Sequence, residues 1–141
     1  MKKFLIHGII AGVLTAVAGI VYQMVYENAL FLDFSLIINP GSIAGASIFG
    51  CVLMALGYWL LEHFKKPNLK GWLNVLIAVL SFLSILGPLG MSLHLEVEFP
   101  EMFPGLAIPM HFFPAMIFFG LIPFFTKPRH SGEKVEGKSN R

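Results

Sequence analysis

One short stretch of this 141-residue chain gathers the side chains best suited to hold a cation: His94, Glu96 and Glu98, with Glu101 close behind and His111 further on. In an extended segment His94, Glu96 and Glu98 project to one side, and in a helix His94 and Glu98 still share a face. Imidazole nitrogen and carboxylate oxygen are donors that a divalent metal such as zinc accepts. A metal site built from His94, Glu96, Glu98 and His111 is therefore one candidate, although no fixed motif such as His-Glu-x-x-His is present. The plainer reading is that the acids solvate a loop and that His94 marks its boundary.

A second grouping pairs His7 with His63 and His94 with His111, one pair toward each end of the apolar stretches. Two imidazoles held between helices are one way of binding haem. All four lie within a few residues of a stretch's end and lack small neighbours on both sides, which favours histidines that simply reach water. Cys51 is the single cysteine, so neither an intramolecular disulfide nor a multi-cysteine metal site can form. There is no Gly-x-Ser-x-Gly, no glycine-rich phosphate loop and no pair of aspartates, Asp33 being the sole one. No catalytic set is legible, and beyond the candidate divalent metal no cofactor is implied.

The elements that must carry these groups are set by hydropathy. Apolar residues make up 56% of the chain and its mean hydropathy is +0.76, outside the range of soluble globular proteins. A hydrocarbon core of about 30 Å takes roughly 20 apolar residues per helix, and residues 4–26, 42–61, 72–91 and 108–125 come close to that length. Backbone groups in lipid must be satisfied within the segment, and no short alternating strands suggest a barrel. The fold class expected is all-α, an integral membrane four-helix bundle spanning residues 1–126, followed by a disordered basic tail over 127–141.

All ten Lys and Arg residues fall in three clusters: Lys2 and Lys3; Lys65, Lys66 and Lys70; and Lys127, Arg129, Lys134, Lys138 and Arg141. The loops between them hold Glu27, Asp33, Glu96, Glu98 and Glu101 and no base. Lys and Arg are retained on the cytoplasmic side during insertion, which places both termini there, in a bacterial inner membrane. The net charge of +2 hides this asymmetry and is no sign of nucleic-acid binding. Met1 to Lys3, an apolar run and Ala16-Val17-Ala18 also look like a signal peptide. The run continues to Val25, longer than a cleavable core, so a retained first span is expected.

The first span carries a stripe of small or polar residues at Gly8, Gly12, Thr15, Gly19 and Gln23. At about 100° per residue these stay on one face, the face that would meet another helix, within the chain or in a homo-oligomer. The second span has a comparable stripe at Ala44, Ser47, Cys51, Ala55 and Tyr58, and the third places Asn74, Ser81 and Ser92 on one face near Pro88. The last span holds Pro109, Pro114 and Pro123; Pro109 falls in its first turn and Pro114 is expected to bend it. Tyr22, Tyr26, Tyr58, Trp59 and Trp72 sit where an aromatic belt would. The first outer loop repeats Leu30, Phe31, Phe34, Ile37 and Ile38, which suggests a short interfacial helix closed by Asn39-Pro40-Gly41. The second, Ser92 to Ala107, contains Pro100, Pro104 and Gly105 and is expected to be irregular.

The basic Lys2-Lys3, Gly8 and Gly12, Ser81 and Ser84 before Gly87-Pro88-Leu89, and Met110-His111 form an arrangement that resembles a group of uncharacterised bacterial four-span membrane proteins. The resemblance covers Met1 to Phe125 and implies a fold rather than a mechanism. Three readings of function follow from the residues. One is a non-enzymatic binding or accessory component whose partners, besides the lipid bilayer, are not specified by the sequence. Another is an outward-facing metal site in the 94–111 segment. The third is passage of a small solute through an oligomer lined by Gln23, Asn74 and serines. A carboxylate-based proton carrier is disfavoured, because Thr15, Ser47, Cys51, Ser81 and Ser84 supply mid-span polarity without charge, and no inverted repeat is evident.

Overall fold

The computed structural model describes residues 1–91 and 99–125. It is all-helical among these residues, with α1 at Lys2–Leu30, α2 at Pro40–His63, α3 at Lys70–Ser84, α4 at Leu86–Gly90 and α5 at Phe103–Phe125. Short 3-10 turns at Pro67–Leu69 and Pro100–Met102 lead into α3 and α5. Four helical segments, Lys2–Leu30, Pro40–His63, Pro67–Gly90 and Pro100–Phe125, are long and apolar enough to cross a membrane.

α1 is the hub, packed most extensively on α2 and next on α5, while α3 leans more lightly on α5 and α2. The glycine stripe explains the closeness of α1 and α2. A methyl group built on Gly12 would lie 2.6 Å from the Ile48 Cα, one on Gly8 2.8 Å from the Ala55 Cβ, and one on Gly19 2.8 Å from the Ile43 Cγ2. Only hydrogen fits there, so the backbones meet directly. The stripe is thus spent on a neighbouring helix of the same chain, with Gly8, Gly12, Thr15, Gly19 and Gln23 all buried. Large apolar residues take the opposite face: Leu5, Ile9, Val13, Val17, Val21 and Met24 are exposed.

Three local expectations change. The loop after α1 forms no helix; Phe31 ends α1 in the left-handed conformation (φ 55°) and residues 32–39 turn back over the helix ends. The Phe34 amide donates to the Glu27 Oε1 at 3.2 Å and the Ser35 amide to the Asp33 Oδ1 at 2.8 Å, while the Phe34 carbonyl closes one turn with Ile37 and Ile38. These side-chain acceptors compete with a helical ladder. The Ser35 amide, and then its hydroxyl, donate to the Asp33 carboxyl and hold it below its ordinary value. Phe34 itself, completely buried, packs edge-on to Phe103 at 5.6 Å.

The third apolar segment is interrupted at Ile85, between α3 and α4. Pro88 offers no amide to the Ser84 carbonyl four residues back, and its ring crowds that turn. By contrast α5 runs unbroken through Pro109, Pro114 and Pro123 and begins at Phe103, so Pro109 is interior rather than in the first turn. α2 opens with a reciprocal cap: the Ser42 amide donates to Asn39 Oδ1 at 2.9 Å and the Asn39 amide to Ser42 Oγ at 3.1 Å, with Pro40 in the first turn.

Candidate functional site

Prolines inside α5 leave carbonyls without a helical donor, and α1 reaches across to the first of them. Pro109 cannot serve the Gly105 carbonyl, which instead accepts from the Tyr22 hydroxyl at 2.9 Å. One turn on, Tyr26 donates to the Met102 carbonyl at 2.9 Å. A Cβ on Gly105 would collide with the Tyr26 hydroxyl, so glycine is what lets this tyrosine pass. The two tyrosines are fasteners between α1 and α5, a role invisible in their spacing. Nearby, the Gln23 Nε2 donates to Glu27 Oε1 at 2.9 Å and to the Ile38 carbonyl at 3.3 Å, tying α1 to the loop.

Halfway along, α1, α2 and α5 meet at a polar node. Thr15 Oγ1 donates to its own Ala11 carbonyl at 2.8 Å and lies 3.7 Å from the Cys51 Sγ, which in turn lies 3.8 Å from the Pro114 carbonyl. Cys51 is fully buried. Buried and flanked by partners, its thiol is a packing element.

Between this node and the loop lies a cavity of about 430 Å³, walled by α1, α2, α5 and the end of α3. Its lining is apolar apart from a few groups, among them Thr15, Ser42, Ser47, Ser84 and His111. Most of the hydroxyls are committed. Ser42 Oγ donates to the Asn39 carbonyl at 2.7 Å and Ser84 Oγ to the Ser81 carbonyl at 2.8 Å. Ser47 is buried and its hydroxyl has no hydrogen-bond partner among the described residues, so it faces the cavity with both donor and acceptor capacity.

His111 stands on α5 beside it. Its Nδ1 lies 2.7 Å from the Ala107 carbonyl, and a carbonyl can only accept, so Nδ1 carries the proton. In the neutral ring Nε2 then keeps its lone pair. Met110, the next residue in the wall, has a carbonyl that Pro114 cannot serve. The wall thus presents a hydroxyl and an imidazole in an otherwise largely hydrocarbon-lined space. Such a space suits one small molecule with a polar group at one end.

Of the proposed metal ligands, only His111 falls within the described residues; His94, Glu96 and Glu98 lie outside them, as do Ser92 and the basic tail over 127–141. Among the described residues no three His, Cys, Asp or Glu side chains converge on one point. At the other end His7 and His63 each engage other partners. His7 is buried between the rings of Phe118 and Phe125, centroids 4.3 and 4.7 Å away, with Nε2 donating to the Phe118 carbonyl at 3.1 Å. His63 stacks on Trp59 at 5.3 Å. His7, expected at a wet boundary, is instead a wedge that locks α1 against α5.

Comparison with protein-family models, with curated proteins and with solved structures finds no match for this chain.

Proposed function

We propose that this protein is a polytopic membrane protein, a four-helix bundle that binds a small lipophilic molecule carrying a hydroxyl or carbonyl group, without transforming it. The observation that carries this reading is the cavity of about 430 Å³ with Ser47 and His111 on its otherwise apolar wall. Ser47 can donate to the ligand's polar group while His111 Nε2 accepts from it, and the surrounding hydrocarbon holds the rest. The inverted surface, small residues inside and large apolar ones outside, supports the bilayer as solvent. The distribution of Lys and Arg supports an inner-membrane topology with both termini cytoplasmic, which puts the cavity in the outer half of the bundle.

Gly50 gives a clean test, because it lines the cavity and a Cβ there meets nothing within 4 Å. Protein purified without added ligand is extracted with organic solvent, the extract is analysed by mass spectrometry, and a short-chain quinol, a fatty alcohol and a fatty acid are offered as probes in thermal-shift assays. At least one molecule is expected to bind the wild type and to be lost in Gly50→Leu, with Tm in its absence unchanged. Equal binding by Gly50→Leu and wild type, or no binding by either, rejects the proposal.

A second reading, a divalent metal held by His94, Glu96, Glu98 and His111, draws support from the His111 tautomer. A ligating histidine commonly donates its other nitrogen to a carbonyl, as Nδ1 does to Ala107. Stoichiometric transition metal in chelator-free protein, lost in His94→Ala, would favour it over the first.

A further inference from the structure

At the end of the molecule where Lys2, Lys3, Lys65, Lys66 and Lys70 gather, two hollows share a wall. The first, about 200 Å³, lies among α1, α2 and α5 and is lined by Lys3, Phe4, His7, Tyr58, Glu62 and Phe125, with Ile122 beside them. The second, about 240 Å³, is an almost wholly apolar groove between α1 and α2, formed by residues such as Met1, Phe4, Leu5, Leu56 and Trp59. Phe4 lines both. A mixed chamber with a charged rim beside a hydrocarbon slot is the outline of an amphiphile.

The floor of the chamber is fixed by bonds already made: His7 donates to Phe118 and Tyr58 to the Asn74 Oδ1. Its rim is charged and uncommitted. Lys3 and Glu62 are exposed, line the same chamber from different helices, and join in no ion pair among the described residues. The backbone sorts them further. Lys3 stands in the first turn of α1, where the helix dipole favours an anion, and Glu62 in the last turn of α2, where the dipole favours a cation although the Leu60, Leu61 and Glu62 carbonyls already accept from the amides that follow. Each helix end reinforces the sign of its own side chain's preferred partner, so the rim matches a ligand with both charges.

We propose that this end binds one zwitterionic phospholipid of the ethanolamine class, its phosphate on Lys3 and the first turn of α1, its ammonium on Glu62, and one acyl chain in the groove over Phe4. An ethanolamine ammonium can donate hydrogen bonds to the Glu62 carboxylate, whereas a choline headgroup, of equal charge, has no N–H to give. A glycerol headgroup has no cation. The inference rests on the four helices spanning a bilayer but not on the ligand proposed for the other cavity.

The test uses native mass spectrometry of the full chain in detergent, with phosphatidylethanolamine, phosphatidylcholine and phosphatidylglycerol of identical acyl chains. The wild type is expected to retain one phosphatidylethanolamine in preference to either competitor. Glu62→Gln should lower its affinity roughly twofold to fivefold, the scale of an exposed ion pair, and remove the preference over choline lipid. Lys3→Gln should weaken the ethanolamine and glycerol lipids alike. Gly50→Leu, at the other cavity, should change none of this, so failure here is separable from failure there. Equal retention of ethanolamine and choline lipids by the wild type overturns the proposal, as does a preference that survives Glu62→Gln.

Discussion

Tyr22 and Pro109 form a functional pair although 87 positions separate them. A proline in a helix interior removes one donor, and in an apolar medium the orphaned carbonyl has no water to turn to. Here the Tyr22 hydroxyl replaces that donor at the Gly105 carbonyl. A double-mutant cycle should show the coupling. Tyr22→Phe alone is expected to lower stability in denaturant unfolding by about 0.6 to 1 kcal/mol, the range for such bonds. In a Pro109→Ala background the helix regains its own donor and the loss should fall toward zero. If Tyr22→Phe costs the same in both backgrounds, the tyrosine is not compensating for the proline. Neither partner announces this role in the sequence: Tyr22 reads as a belt aromatic and Pro109 as a first-turn proline until α5 is seen to start at Phe103.

Among the helices, close approach is confined to one seam. Gly12 faces the Ile48 Cα, a backbone atom that cannot swing aside, while Gly50 on α2 faces open space. Glycine content alone does not separate the two, but their setting does. Gly12→Ala is expected to destabilise by about 1 to 3 kcal/mol, the usual cost of overpacking, and Gly50→Ala to leave stability near that of the wild type. Helix propensity alone favours alanine at both positions, so comparable losses at both, measured by unfolding in the same detergent, would show that the close contact at the seam is not what sets Gly12 apart. The faces of α1 were legible in advance because its small and polar residues, Gly8, Gly12, Thr15, Gly19 and Gln23, recur every three or four residues. The break at Ile85 and the start of α5 at Phe103, which puts Pro109 in the helix interior, were not. At Pro109 the carbonyl it frees, that of Gly105, is satisfied from the neighbouring helix by Tyr22.

Among the described residues the bundle is organised along its axis, with Lys2, Lys3, Lys65, Lys66 and Lys70 at one end and Glu27, Asp33 and Glu101 at the other. In a Cys51→Ala background, single cysteines at Lys66 and Asp33 should label from opposite sides of sealed vesicles with a membrane-impermeant reagent. Labelling of both from one side would refute the proposed threading. The number of apolar helices, their approximate limits and the packing face of α1 followed from residue order, since hydropathy and helical periodicity are local properties. The destination of residues 31–39, the burial of Phe34 and His7, the tyrosine fasteners and the three hollows were decided by tertiary contacts. An apolar residue gains little by choosing protein over hydrocarbon. Its place is therefore settled by the few hydrogen bonds and close fits that only the assembled helices provide.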